Sequence, residues 1–184
     1  MTGARSADVV IAGGAVPVEP RQRTVFVIHC RDAPAGLPLC ADPRGVWLQP
    51  EDNYHIAGWS PIEATDKAAD RDDFESNFGA FEGPIWPALA HCIPAFAATP
   101  MLQASEGHFD YNALDKNGII GRHTEVPNHY VINGVSGHGL QPSLAAVCAI
   151  AELAAQGHTQ TIVTGWLGFE RMSRLARWRQ HNVI

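Results

Sequence analysis

A glycine turn that is followed at once by two prolines restricts this chain more than any other feature of its sequence. Asp8–Ala12 is a short apolar run that predicts a buried strand, and Gly13 and Gly14 come directly after it. A dinucleotide-binding turn continues into a helix, whose N-terminus holds the pyrophosphate. Here Pro17 and Pro20 exclude a regular helix or a central strand. The turn is therefore an incomplete dinucleotide motif, and a plain strand and turn is an equally good interpretation.

Composition and charge exclude several classes of protein. The chain has 184 residues, of which 46% are hydrophobic, and its net charge is −6 without a basic stripe, which argues against nucleic acid as a partner. No apolar run is long enough to span a bilayer. The four cysteines (Cys30, Cys40, Cys92 and Cys148) lack the C-x-x-C spacing of a zinc or redox site. We expect a cytoplasmic protein with reduced thiols, no metal and no membrane contact.

The patterns along the chain predict an α+β fold around an antiparallel sheet. Strands are predicted at Thr24–Cys30, Gly45–Gln49, Tyr54–Trp59, Met101–Phe109, Gly118–Gly121 and His129–Asn133. The second and third flank a polar turn, which indicates a hairpin. A helix is predicted from Asp72 onward, because Phe74, Phe78, Phe81 and Ile85 recur at helical spacing, with a break at Gly83-Pro84.

A second helix is predicted over Leu140–Gln156, with Gly157 as its C-terminal cap. Its stripe consists of Leu140, Leu144, Val147, Ala151 and Ala154, and other faces are also apolar. A helix that is apolar nearly all round is usually buried between layers, so we expect burial here. The arginines of the tail (Arg171, Arg174, Arg177 and Arg179) are interpreted as a solvated helical face.

The loop between the last strand and this helix is a candidate ligand-binding segment. Gly134, Gly137 and Gly139 would expose backbone N–H groups beside a helix N-terminus, which suits an anionic or polarised ligand atom. His138 either faces that ligand or fills the turn. Ser136 nearly completes the elbow of a serine hydrolase, but His138 replaces its last glycine and no good acid follows Ser136, so hydrolysis is a remote alternative.

Residues 107–117 form a second candidate segment, rich in aromatic, amide and carboxylate side chains. It is predicted to be a loop from Asp110 to Lys116. Such a loop can orient a polar substrate, and a self-satisfied Asx turn explains the composition equally well.

Five segments together resemble the FAD-dependent oxidoreductases of the sarcosine oxidase, dimethylglycine dehydrogenase and D-amino-acid oxidase superfamily, most closely its FAD-dependent oxidoreductase domain-containing branch. They are PVEPRQRTVFV (17–27), GVWLQPE (45–51), IAGWSP (56–61), HFDYNALDKNGIIG (108–121) and EVPNHYVINGVSGHGLQ (125–141), in family order. The family's long FAD-binding region between the glycine turn and the PVEPR segment is absent here, with the seam near Val16–Pro17.

The resemblance implies a domain organisation. Residues 1–16 would be a remnant dinucleotide-binding strand and glycine turn, part of a residual α/β (Rossmann-like) layer. Residues 17–121 would form the substrate domain, an antiparallel sheet with helices. Residues 122–184 would form the flavin-contact strand, loop and helix with a tail.

The resemblance also implies roles for individual residues. The residues against the isoalloxazine ring of FAD would be Gly137, His138, Gly139, Leu140 and Gln141, and Gly13 and Gly14 would remain from the pyrophosphate turn. The substrate side would be lined by Phe109, Asp110, Tyr111 and Asn112, with Gln141 as a further catalytic residue. Gln141 stands where some relatives carry a flavin-facing lysine, so oxygen activation by that route is not expected. Gly107 lies near a cysteine that attaches flavin in some relatives, which excludes attachment there.

The implied reaction is hydride transfer to flavin from the C–H beside the nitrogen of a small amine or amino acid. The alternative is a non-catalytic fragment or interaction module. In either case we expect self-association, or a partner chain that supplies the missing FAD region.

Overall fold

The structure, a computed structural model, describes residues 16–173, so the predicted strand and turn at Asp8–Gly14 lie outside it. The chain divides into two compact units. The central unit consists of Gln22–His108, and the terminal unit of residues 16–21 and 109–173. The boundary predicted at residue 121 falls inside the terminal unit. Antiparallel sheets and helices confirm the α+β class.

A five-stranded sheet, in the order β2-β3-β4-β1-β5, organises the central unit. Its strands are β1 (Val18–Ile28), β2 (Cys40–Ala41), β3 (Val46–Glu51), β4 (Tyr54–Trp59) and β5 (Met101–Asn112). The first residues of β1 and the last of β5 belong to the terminal unit. The predicted hairpin is confirmed, but its turn has two residues instead of four, because Glu51 pairs with Tyr54.

Strand β1 begins earlier than predicted and includes Pro20. The prolines therefore do not prevent a strand, although the described pairing with β4 does not make β1 a central strand at Pro20. Pairing with β4 covers only Val25–Ile28, so β4 needs no N–H group from Pro20.

The core of the central unit lies on one face of this sheet. Strand residues Phe26 and Leu48 pack with Ile85 and Phe96, and all four are almost completely inaccessible to solvent. His55 is buried beside them, with its ring edge-on to that of Phe96 at 5.1 Å. Burial lowers the pKa of His55, and the charge of nearby His29 adds to this effect.

The predicted helix from Asp72 starts later than its spacing suggests. Helix α1 (Phe78–Ala80) leads into a π-helical turn (Phe81–Ile85), helix α2 (Trp86–Cys92) and a 3₁₀ helix (Pro94–Ala98). Asp70 and Asp73 accept hydrogen bonds from the backbone N–H groups of Asp72 and Glu75, and such Asx turns compete with a helix. Phe74 is consequently exposed, and the π-helical turn accommodates Gly83-Pro84 without a break.

The terminal unit pairs β6 (Ile119–Arg122) antiparallel with β7 (Tyr130–Asn133). Helix α3 (Ser143–Gln156) follows, and a 3₁₀ helix (Phe169–Ser173) ends the described chain. Ile120 packs on Ala146 and Ala149 of α3. Gly157 is left-handed (φ 79°) and caps α3, as predicted.

The apolar stripe predicted for α3 faces away from this packing. Among the described residues, Leu144 is 86% exposed, Val147 58% and Leu140 87%, whereas Ala146 and Ala149 are buried. The prediction that α3 is buried between layers is therefore wrong for residues 16–173. A helix that is apolar on every side has no polar face to determine which side packs.

Arg171 is buried and is not part of a solvated face, which corrects the interpretation of the tail. Its five N–H groups donate to the Asp115 carboxylate (2.8 and 3.2 Å) and to the carbonyl oxygens of Asn117 (2.7 Å), Gly118 (2.9 Å) and Leu167 (2.6 Å). Asp115 is only 1% exposed. Arg174, Arg177 and Arg179 lie outside the described residues.

Residues 16–173 include no helix with the length and apolar character needed to cross a membrane. They also bring together no group of three or more side chains that could hold a metal ion. The four cysteines are free.

Candidate functional site

The loop that joins β7 to α3 is sharply bent. Gly134, Ser136 and Gly137 have φ angles of 69°, 52° and 92°, in the left-handed region. A Cβ atom on Gly134 would lie 2.8 Å from Val18 Cγ2 and 3.1 Å from Asn112 Cβ. Glycine is therefore required at position 134 by both its conformation and its surroundings.

The carboxylate of Asp110, near the end of β5, holds this loop in place. The backbone N–H groups of Gly134 (2.7 Å) and Val135 (3.3 Å) donate to Asp110 Oδ2, and that of Ser136 donates to the Asp110 carbonyl oxygen (2.9 Å). Burial raises the pKa of Asp110, against the opposing effect of the backbone hydrogen bonds. Asp110 thus supports the loop.

Asn112 supports the same region and is completely buried. Its Nδ2 donates to Asp115 Oδ1 (3.1 Å) and to the Asn117 carbonyl oxygen (2.6 Å), and its Oδ1 accepts from the Leu114 backbone N–H (2.9 Å). The amide side chain is therefore fully occupied by the turn that follows β5.

The geometry of Ser136 disfavours a serine hydrolase. Ser136 Oγ accepts a hydrogen bond from the Asn112 backbone N–H (3.0 Å) and donates one to the Gly134 carbonyl oxygen (3.2 Å). The side chain is completely buried. A nucleophile needs an exposed hydroxyl with a histidine as its base, and within residues 16–173 Ser136 has neither.

The predicted loop from Asp110 to Lys116 begins later, because β5 continues to Asn112. Side chains alternate along a strand, so Phe109 and Tyr111 share the face opposite to Asp110 and Asn112. The rings of Phe109 and Tyr111 meet edge-on, with centroids 6.3 Å apart. The four predicted substrate-side residues therefore divide between two faces, with Phe109 and Tyr111 on one and Asp110 and Asn112 on the other, and their substrate-facing role stays a prediction.

Arg21 joins these two aromatic residues, and sequence reasoning missed it. β1 lies beside β5 in the sheet, and the Arg21 guanidinium lies 4.4 Å from the centroid of the Tyr111 ring. Arg21 is buried. Arg21 belongs to the PVEPR segment. Its contact with Tyr111 depends on how β1 and β5 pair, and this pairing cannot be predicted from a local sequence pattern.

Residues 137–141 present backbone and side-chain groups that could contact a ligand. The backbone N–H of His138 donates to the Val135 carbonyl oxygen (3.1 Å). It is the one backbone N–H of this segment that has a partner among the residues that the structure describes. His138 Nδ1 is buried and bonds to none of them. Gly137, Leu140 and Gln141 are exposed, and Gly139 is half-buried.

Helix α3 begins directly beyond this segment and has no side-chain cap at its N-terminus. Its first N–H groups and its dipole therefore favour negative charge near residues 137–141. The predicted ligand-facing loop thus has the geometry for an anionic or polarised ligand atom. The flavin contacts of its individual residues stay predictions, and Gly13 and Gly14 lie outside the described residues.

Asp110→Asn should change how stability depends on pH. Because the folded state raises the pKa of Asp110 above its ordinary value of 3.8, the folded chain binds this proton more tightly than the unfolded chain. The stabilisation is present below pH 3.8 and is lost as pH rises through the raised pKa. The free energy of unfolding of the wild type minus that of Asp110→Asn should therefore fall as pH rises from 3.8 through the raised pKa of Asp110 in urea titrations. A difference that is constant or grows with pH contradicts this.

The chain is similar to a known protein family and to several named relatives. A family model described as FAD-dependent oxidoreductase matches residues 2–177. FAD-dependent oxidoreductase domain-containing protein 1 of Bos taurus is 38% identical, over 94% of this chain and 36% of that protein. Its counterpart from Xenopus laevis is 36% identical, over 95% and 35%. The chain spans about a third of the length of these relatives.

Solved structures share the fold. L-proline dehydrogenase from P. horikoshii superposes with a TM-score of 0.79 at 23% identity, and the match covers 97% of this chain and 47% of that one. Glycine oxidase from Geobacillus kaustophilus superposes with a TM-score of 0.74 at 16% identity, over 90% and 43%. At these identities the likeness establishes the fold.

Proposed function

We propose that this chain, which belongs to the FAD-dependent oxidoreductase family, provides the substrate-facing strand and the flavin-contact loop of an enzyme that oxidises amines or amino acids. The observation that carries the proposal is the bent loop at residues 134–141, which precedes an uncapped helix and in which the N–H groups of Gly137 and residues 139–141 have no partner among residues 16–173. L-proline dehydrogenase and glycine oxidase, which share the fold, are by name enzymes of amino acids, and this supports the substrate class.

The residues present fit one side of a flavin. A Cβ atom at Gly139 would lie 3.0 Å from Val135 Cγ2, so any larger side chain would have to project from the loop surface. His138 Nδ1 is a buried polar atom that a ligand could pair with. The N–H groups of Gly137 and residues 139–141 would hold a flavin edge on which negative charge gathers. Bound FAD would supply the acceptor for the hydride beside the substrate nitrogen.

The chain's own residues would position this reaction. Phe109 and Tyr111 would orient the substrate and exclude water from one side. Asp110 keeps the loop in its bent shape through the backbone N–H groups of Gly134 and Val135. No side-chain nucleophile is needed, because orientation and the cofactor account for the chemistry.

We further propose that the rest of the FAD site comes from protein outside this chain's 184 residues. The chain covers about a third of its relatives, and α3 exposes Leu144 and Val147 on an apolar face. Large exposed apolar surfaces usually belong to interfaces. The same observation favours the second candidate function, a non-catalytic interaction module.

Titration of FAD with the chain tests the loop assignment. We expect weak quenching of flavin fluorescence and no stoichiometric FAD after desalting, because much of a long ligand's site is missing. Gly139→Val should weaken the residual binding by roughly tenfold or more, because a branched side chain would cover the loop's N–H groups.

The matched control is Gly165→Val, where a Cβ atom meets nothing within 4 Å. Equal quenching by wild type and Gly139→Val would remove the loop from the flavin site. A purified yellow chain that keeps one FAD per molecule would show that no further protein is required.

A further inference from the structure

We propose that Asn133 and Gly134 cyclise to a succinimide in the folded chain, with the Asp110 carboxylate as the base, and that burial preserves this imide. The proposal concerns a spontaneous modification at the start of the loop that joins β7 to α3. It goes beyond the proposed function and does not depend on whether the chain binds flavin. It gives a chemical role to Asn133, the last residue of β7.

The first step is the approach of the reacting atoms. Cyclisation joins the amide carbon of an asparagine side chain to the backbone nitrogen of the next residue, and glycine offers the least steric hindrance because it has no side chain. The Asn133 side chain is folded toward this nitrogen, since the Gly134 N–H donates to Asn133 Oδ1 at 2.8 Å. The two reacting atoms are therefore held close together, and little reorganisation is needed for attack.

The second step is the removal of the Gly134 proton. The Gly134 N–H also donates to Asp110 Oδ2 at 2.7 Å, which is within the reach of a general base. Asp110 is buried, and burial raises the pKa of its carboxyl group, so its carboxylate is a stronger proton acceptor than an exposed one. The same nitrogen thus faces both the group it would attack and the group that would take its proton.

The atoms balance without a further reactant. Asp110 accepts the Gly134 proton, and the Gly134 nitrogen forms a bond to Asn133 Cγ. The bond from Cγ to Nδ2 then breaks, and Nδ2 takes up the proton from Asp110 and leaves as ammonia. The imide nitrogen carries no hydrogen, so Asp110 loses its bond from residue 134 and keeps the longer one from Val135 (3.3 Å). A covalent ring then replaces this hydrogen bond at the start of the loop.

The third step is the exclusion of water. In water a succinimide opens by hydrolysis to aspartate or isoaspartate. Asn133 and Ser136 are completely buried, and Gly134 is buried as well. Because a site that excludes water protects a reactive intermediate from hydrolysis, the imide should accumulate in the folded chain.

A second Asn-Gly pair, Asn117-Gly118, provides the matched control. Asn117 Nδ2 donates to the Asp115 carbonyl oxygen at 3.0 Å. The Asp115 carboxylate accepts hydrogen bonds from Asn112, from the Asn117 backbone and from Arg171. In the described part of the chain, this pair therefore has the same dipeptide sequence without a carboxylate at the glycine nitrogen.

Mass spectrometry of the aged chain tests the proposal. The folded chain is incubated at neutral pH and then digested under mildly acidic conditions, which preserve imides. The peptide with Asn133 should lose the mass of one ammonia roughly tenfold or more faster than the peptide with Asn117. In urea the two pairs should react at similar rates, because the preference arises from the fold. Asp110→Asn, which removes the base, should slow the reaction at Asn133 by roughly tenfold or more and leave Asn117 unchanged.

Equal rates at Asn133 and Asn117 in the folded wild type would overturn the proposal, and this comparison requires no variant. An unchanged rate at Asn133 in a folded Asp110→Asn chain would remove Asp110 as the base. Conversion of Asn133 to aspartate without accumulation of the imide would contradict the protection by burial. The measurement needs no FAD, so its outcome is independent of the flavin assignment.

Discussion

Arg171→Met is expected to lower the free energy of unfolding by about 3–5 kcal/mol, because it leaves the Asp115 carboxylate buried and unpaired. Asp115 is 1% exposed and would lose both hydrogen bonds from the guanidinium. Three backbone carbonyl groups would lose their donor at the same time. Domains are typically stable by about 5–15 kcal/mol, so the variant should lose a large part of its stability and unfold at a much lower urea concentration. Urea denaturation followed by circular dichroism measures the loss.

Arg44→Met is the matched control for Arg171→Met. Arg44 also binds an aspartate, Asp42, at 2.8 Å, but its side chain is 59% exposed. The methionine variant at position 44 should unfold at the same urea concentration as the wild type, because water replaces the lost partner. Equal midpoints for the two variants would show that the buried pair contributes no more than the surface pair.

We expect the purified chain to associate, and Leu144→Glu to shift it to monomers. Leu144 and Val147 are exposed on α3, so assembly would cover them with apolar surface from another molecule. A carboxylate inside such an interface would have to lose its hydration, which strongly opposes association. Multi-angle light scattering and dye binding give the mass and the exposed apolar surface.

Ile62→Glu provides the control for charge, because Ile62 is 68% exposed in a loop of the central unit. This variant should associate like the wild type. A wild-type chain that is a monodisperse monomer without dye binding would contradict the expectation and also the proposal that α3 needs a cover.

Local patterns predicted most strands because alternation and turn residues are local properties. The hairpin of β3 and β4 follows from two β-branched and aromatic runs around Asp52-Asn53. The orientation of α3 could not be predicted in this way. The spacing of its apolar residues predicts a helix. However, Leu144 and Ala146 lie on different sides of this helix and are both apolar, so the sequence does not indicate which side is buried. The packing of Ile120 against Ala146 decides this.

Contacts between residues that are far apart in the sequence could not be predicted. Arg171 looks like its neighbouring surface arginines, and its partner Asp115 lies 56 positions away. Asp110 and Asn112 looked like loop residues because polar side chains usually avoid the interior. They extend β5 because the backbone N–H groups of Gly134 and Val135 donate to the Asp110 carboxylate, and the Asn112 backbone N–H donates to Ser136 Oγ, 24 to 25 positions later.

Some residues support the loop at 134–141 and others are only exposed on it, and this separation has an evolutionary consequence. Asp110 and Ser136 maintain the shape of the loop through hydrogen bonds that involve main-chain atoms, which any sequence supplies. The exposed side chains of Leu140 and Gln141 take no part in this support among residues 16–173. Mutations at positions 140 and 141 can therefore accumulate without a penalty in folding. A lineage could change the reactivity of its site by single steps there, whereas drift at the two supporting positions would be purged by selection for a folded chain.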